Sequence, residues 1–86
     1  MGIILPPPNA SYEDLRDAAY PVLANLAVVG RLGGTSGIVD RELDGGWVVD
    51  AHVGDVVVES AGGTTRPRAM RNLLRGLLDR VYRKTV

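Results

Sequence analysis

The chain of 86 residues contains no cysteine and no phenylalanine, and only one histidine and one tryptophan. Without cysteine there can be no disulfide framework, no zinc knuckle and no thiol nucleophile. Without phenylalanine, the interior has to be built from valine, leucine, isoleucine and alanine, which bury less area per residue than aromatic rings. A chain this short buries only roughly 60–65% of its unfolded surface, so a thin aliphatic core is commonly supplemented by self-association. Long apolar runs are also missing. The N-terminal Met1-Gly2-Ile3-Ile4-Leu5 has no basic flank and is too short for a signal peptide. Pro6 stands where a myristoylation signal needs Ser or Thr. No stretch approaches the roughly 20 apolar residues that span a bilayer. The expectation is a soluble protein of the cytoplasm, or of a particle assembled there, with no membrane partner.

Excess charge of one sign is absent in total but not in distribution. The ten basic and ten acidic residues cancel. Residues 1–60, however, hold nine acids and three bases, a net of −6, while residues 61–86 hold one acid and seven bases, a net of +6. The zero is the sum of two oppositely charged stretches.

What the chain does have is punctuation. Pro6-Pro7-Pro8 favours polyproline II geometry, so residues 1–10 read as an extended arm with an apolar tip, Ile3-Ile4-Leu5, ahead of a single domain over 11–86. The tip can fold back over its own domain or dock on a neighbouring subunit. Ser11 has the chemistry of a helix N-cap, with Glu13 and Asp14 in the first turn. Leu15, Ala18, Ala19, Val22, Leu23 and Leu26 follow at helical spacing. Pro21 predicts a kink or restart in that helix, because it removes a backbone donor and crowds the carbonyl of Asp17. From Gly37 the period becomes strand-like. Gly37–Leu43, Trp47–His52 and Val56–Ser60 read as three strands, separated by turns at Asp44-Gly45-Gly46 and Val53-Gly54-Asp55. Thr64 or Thr65 then caps a last helix whose stripe is Met70, Leu73, Leu74, Leu77, Leu78 and Val81, with Pro67 tolerated in its first turn. The predicted fold is α+β, in the order α-β-β-β-α: a three-stranded antiparallel meander packed on two helices.

Enzymatic patterns are lacking. No nucleophile elbow or triad surrounds Ser36, Ser60 or the lone His52, and the glycine-rich stretches fit neither a P-loop nor a dinucleotide fingerprint. Asp40 and Glu42 share a strand face. If Asp50 lies opposite them they could hold a divalent ion, but a solvated sheet edge is the preferred explanation. Asp50 also shares a face with His52. The residues predict no enzyme, no metal and no cofactor.

The chemically suggestive surface is the start of the last helix. Arg68, Arg71 and Arg75 recur at i, i+3 and i+7. Gly62-Gly63-Thr64-Thr65-Arg66 offers backbone N–H groups, two hydroxyls and a helix dipole suited to a phosphate. Three readings stand side by side: a solvated arginine face, contact with nucleic acid, or docking onto the acidic face of another protein or copy. Trp47, opening a strand after a Gly-Gly turn, either packs under the helices or marks an interface beside Tyr12.

Gly63, Thr65, Arg66, Arg68 and Ala69, entering the last helix of an α-β-β-β-α chain, resemble the junction of double-stranded-RNA-binding domains. That family grips phosphates with a Gly, a Ser or Thr and a basic run at this point; Pro67 and Met70 stand here where it carries Lys. The Ile3–Pro8 arm, followed by a helix, a meander and a closing helix, is similar to small tail-terminator and neck subunits of tailed phages. That likeness implies a structural protein of a viral particle. Of the two, the sequence favours assembly through protein–protein contacts, as a homo-oligomer or a subunit of a larger particle. Nucleic-acid binding through Thr64, Thr65, Arg66, Arg68, Arg71 and Arg75 is the alternative.

Overall fold

The computed structural model describes residues 6–84 and, within that span, side chains as far as Tyr82. Its elements run α1 (Tyr12–Val29), β1 (Ser36–Leu43), β2 (Gly46–Val53), β3 (Val56–Gly63) and α2 (Arg66–Lys84). The strands form one antiparallel sheet in the order β1-β2-β3, so the α+β meander architecture is as expected. The strands are longer than the hydrophobic pattern alone indicates. β3 in particular runs three residues past Ser60, through Ala61, Gly62 and Gly63, because their backbones stay paired with β2 although their side chains carry no strand signal.

Local chemistry starts and stops α1. The Ser11 hydroxyl accepts the Asp14 N–H at 3.2 Å, as an N-cap does. At the other end Arg31 takes a left-handed φ of 54°. Its N–H donates to the Val28 carbonyl and the Leu32 N–H to that of Ala27, the pairing of a Schellman motif. Glycine usually fills that left-handed position, but here the glycine, Gly30, comes one residue earlier. The turn folds Leu32 back against the core.

The helix runs unbroken through Pro21, contrary to the expected restart. Pro21 sits on the exposed side, while Leu15, Ala19, Val22, Leu23 and Leu26 form a buried seam on both sides of it. An interior proline costs about 3 kcal/mol, and each buried aliphatic side chain returns about 1.5–3 kcal/mol. The seam therefore outweighs the missing hydrogen bond.

Both helices lie on one face of the sheet. The core joins the α1 seam to Ala69, Met70, Leu73, Leu74, Leu77 and Leu78 of α2 and to Val49, Ala51 and Val53 of β2. The helices run in the same general direction. Their N-terminal portions meet at a groove lined by Ala10, Leu15, Thr65 and Arg71, and the end of α1 reaches the level of Arg80.

The β1–β2 turn decides which carboxylates share a face. Only Asp44 and Gly45 lie between the paired Leu43 and Gly46, with Gly45 at φ 82°. The Cα partner of Asp50 is consequently Val39, and that of Asp40 is Val49. Asp50 thus lies on the open face with Arg41, at 3.6 Å, and accepts a hydrogen bond from the Ser60 hydroxyl. Asp40 points to the helix side. The grouping of Asp40, Glu42 and Asp50 on one face is corrected accordingly: the two-residue turn puts Asp50 out of phase with the other two. No cluster of three or more metal-binding side chains occurs among the described residues.

Candidate functional site

Arg66 opens α2 and already has an anion. Its Nε donates to Asp40 Oδ2 at 2.9 Å and its Nη2 to Oδ1 at 3.3 Å, a two-pronged pair from helix to strand. The guanidinium carbon stands 3.7 Å over the Tyr12 ring centroid and 5.7 Å from that of Trp47. The Tyr12 hydroxyl donates to Asp40 Oδ1 at 3.0 Å. Three distant pieces of chain (the first turn of α1, the middle of β1 and the first turn of α2) are thus fastened at one carboxylate. Hydrogen bonding to the Arg66 guanidinium, aided by Tyr12, holds the Asp40 carboxyl below the usual carboxylate range. Burial, reinforced by the Asp40 hydrogen bond and charge, pushes the Tyr12 phenol up, and the Asp40 hydrogen bond raises Arg66 further. Trp47 is half-buried under this cluster and packs on the core.

A depressed folded-state pKa means that Asp40 stabilises the fold above its unfolded value of about 3.9, and that this contribution disappears as pH falls through the lower folded value. Asp40→Asn is expected to destabilise by about 1–2 kcal/mol at neutral pH, discounted for the partly exposed partner. Urea midpoints at about pH 7 and about pH 2 check this. The gap between wild type and variant should close in acid; a gap unchanged there would contradict the assignment.

The remaining predicted contact residues surround a groove of about 370 Å³. Thr65 acts as the N-cap of α2, its hydroxyl accepting the Arg68 N–H at 3.2 Å; Thr64 is exposed beside it. Arg71 donates to the Pro6 carbonyl at 3.1 Å and also to that of Pro7. The Ala10 N–H donates to the same Pro7 carbonyl at 2.9 Å as the chain turns into α1. The polyproline segment is therefore clamped to its own domain at Pro6 and Pro7, while Ile3, Ile4 and Leu5 lie outside the described residues. Arg68 and Arg75 line the groove, and their side chains have no hydrogen-bonding or ionic partner among the described residues. Of the six predicted residues, Arg66 and Arg71 are committed within the fold, and Thr65, Arg68 and Arg75 face a shared open space.

A second groove, of about 350 Å³, lies at the other end of the helix layer, between Leu26, Leu32 and Val56–Val58, with Arg80 on its edge. Arg80 pairs with Glu59 there. Gly76 leaves room for that carboxylate, which would stand 3.0 Å from a Cβ at position 76. Val57, in the lining of this groove, is 59% exposed, and Val28 and Val29 at the end of α1 are 78% and 55% exposed. A β-bulge between β2 and β3 sets Val58 apart from its neighbours, so that it packs on the core while Val57 does not. Sequence reading missed this surface because Val56-Val57-Val58 looks like an ordinary buried strand. The available signal was its place at the start of the last strand of a meander, which makes it an edge.

No protein-family model, no curated protein and no solved structure matches this chain.

Proposed function

We propose that this is a non-enzymatic binding domain that works by protein–protein assembly, first with copies of itself. It would act in the cytoplasm or in a particle built there. The observation that carries this reading is the exposed valines at this end of the molecule: Val56 and Val57 line the second groove, and Val28 and Val29 stand uncovered at the end of α1. Exposed apolar side chains beside a groove on a small domain mark a contact site. The charge geometry supports the same reading, since Arg66, Arg71 and Arg80 are engaged within the domain and fewer cations remain for a polyanion. His52 sits on the open sheet face with its Nδ1 donating to the Gly54 carbonyl, an arrangement that holds a turn. No helix among the described residues is long and apolar enough to cross a membrane.

Arg68 and Arg75, flanking the Thr65 cap, favour a second reading, in which the first groove takes a nucleic-acid phosphate. Sizing with light scattering over a range of concentrations separates the two. The assembly reading expects a mass above one chain that rises with concentration and persists in high salt, and a single-chain mass at every concentration would overturn it. The nucleic-acid reading expects duplex retention that weakens steeply with salt and is lost in the Arg68→Ala, Arg75→Ala double variant.

A further inference from the structure

We propose that the aliphatic groove between α1 and β3 receives residues Ile3-Ile4-Leu5 of another copy, so that subunits are joined by exchanged arms. This rests on the assembly reading above and names its occupant. Chemistry selects the segment. The groove is walled by Leu26, Leu32, Val56 and Val58, with Val57 at its lip. Ile3-Ile4-Leu5 is a purely aliphatic run of a size that a space of about 350 Å³ can take. Within its own subunit the arm departs beside the other groove, where Arg68, Arg71 and Arg75 stand among Pro8, Ala10, Leu15 and Pro67.

Reach makes the contact intermolecular. Arg71 holds the arm at Pro6 and Pro7, and Arg80 marks the aliphatic groove. These two arginines are nine residues apart on α2, about 14 Å along the axis and two and a half turns round, hence on opposite sides of the helix. The two grooves are as far apart along α1, where Leu15 lines the one beside Pro6 and Leu26 the other, eleven residues or about 16 Å away. Ile3 lies three residues before Pro6, and three extended residues span at most about 11 Å. The tip cannot fill the groove of its own subunit, whereas a neighbour's tip can. The Arg71 clamp and the restricted proline backbone fix the arm's point of departure beforehand, which lowers the entropy lost on docking.

The absence of cysteine allows a clean test. Full-length Ile4→Cys protein and differently tagged Val56→Cys protein are mixed under mild oxidation. Mixed disulfides are expected in excess of at least about tenfold over a mixture with Val39→Cys, whose position is exposed on the open face of β1. Yields equal to that control would overturn the proposal. So would ring closure within a single chain in the Ile4→Cys, Val56→Cys double variant. In parallel, the Ile3→Asp, Ile4→Asp variant should fall to single-chain mass with an unchanged circular dichroism spectrum. If it keeps the wild-type mass, the arm is not the link and only the assembly reading survives; if wild type is itself a single chain at all concentrations, both fall.

Discussion

Leu77→Ala is expected to remove about 2–5 kcal/mol of folding free energy. Leu77 is fully buried on α2, in the layer where both helices meet the sheet. Truncation loses the transfer free energy of the deleted atoms and leaves a cavity that a close-packed interior only partly closes. A domain of this size has a total stability of about 4–13 kcal/mol at ordinary values per residue, so the loss is a large part of the whole. The melting temperature should drop by about 10 °C or considerably more, given about 4–8 °C per kcal/mol for a chain of this length. Urea unfolding checks the free energy directly. Val28→Ala, on the exposed aliphatic end, is the contrast and should stay within about 0.5 kcal/mol. A Leu77→Ala loss under about 1 kcal/mol would mean that the two helices do not share the interior described above.

The second large effect is expected at Gly63, the last residue of β3. A Cβ there would stand 2.6 Å from the Ala69 nitrogen, 3.0 Å from the Ala69 Cα and 3.0 Å from the Arg68 carbonyl carbon. All three are backbone atoms of the first turns of α2, so no rotamer change relieves the contact and the helix itself must move. Only Thr64 and Thr65 connect strand to helix. The shift therefore falls on the Arg66–Asp40 pair and on the hydrogen bond from the Asn72 amide to the Gly62 carbonyl. Gly63→Ala should cost about 2–3 kcal/mol, in the range of overpacked interiors. The adjacent Gly62 is the control, since a Cβ there meets only the Trp47 carbonyl oxygen at 3.4 Å. Gly62→Ala should change stability by less than about 1 kcal/mol in either direction. Equal effects of the two substitutions in urea titrations would refute the close approach of β3 and α2.

The fold was legible in the chain because its signals are local. A serine before two acids, two helical stripes, glycine-marked turns and a switch of period each act within a few residues, and together they order the five elements. What escaped was long-range. Nothing near Asp40 in sequence names Arg66 or Tyr12 as its partner, 26 and 28 residues away. The pairing arises because the register of β1 turns Asp40 toward the helices, where an acid needs a cation. That parity was hidden in the length of one turn, since a third loop residue between β1 and β2 would put Asp50 in phase with Asp40. Of the kink or restart expected at Pro21, the restart failed for the complementary reason: the proline's local penalty is real, but tertiary burial on either side of it is larger. At the candidate site the arginine spacing on α2 was visible, while the commitment of Arg66 and Arg71 depended on where an arm and a strand arrive in space.

The shared direction of the two helices bears on the order in which the protein is made. Because α2 lies beside α1 and supplies six of the buried core residues, the first 60 residues cannot close the interior alone. During synthesis they emerge with an incomplete apolar surface and no second helix to cover it. That portion also carries a net charge of −6, which makes nascent chains repel one another while they are most prone to stick. The compensating positive charge arrives on α2, the element that covers the surface, so electrostatic protection ends as burial begins.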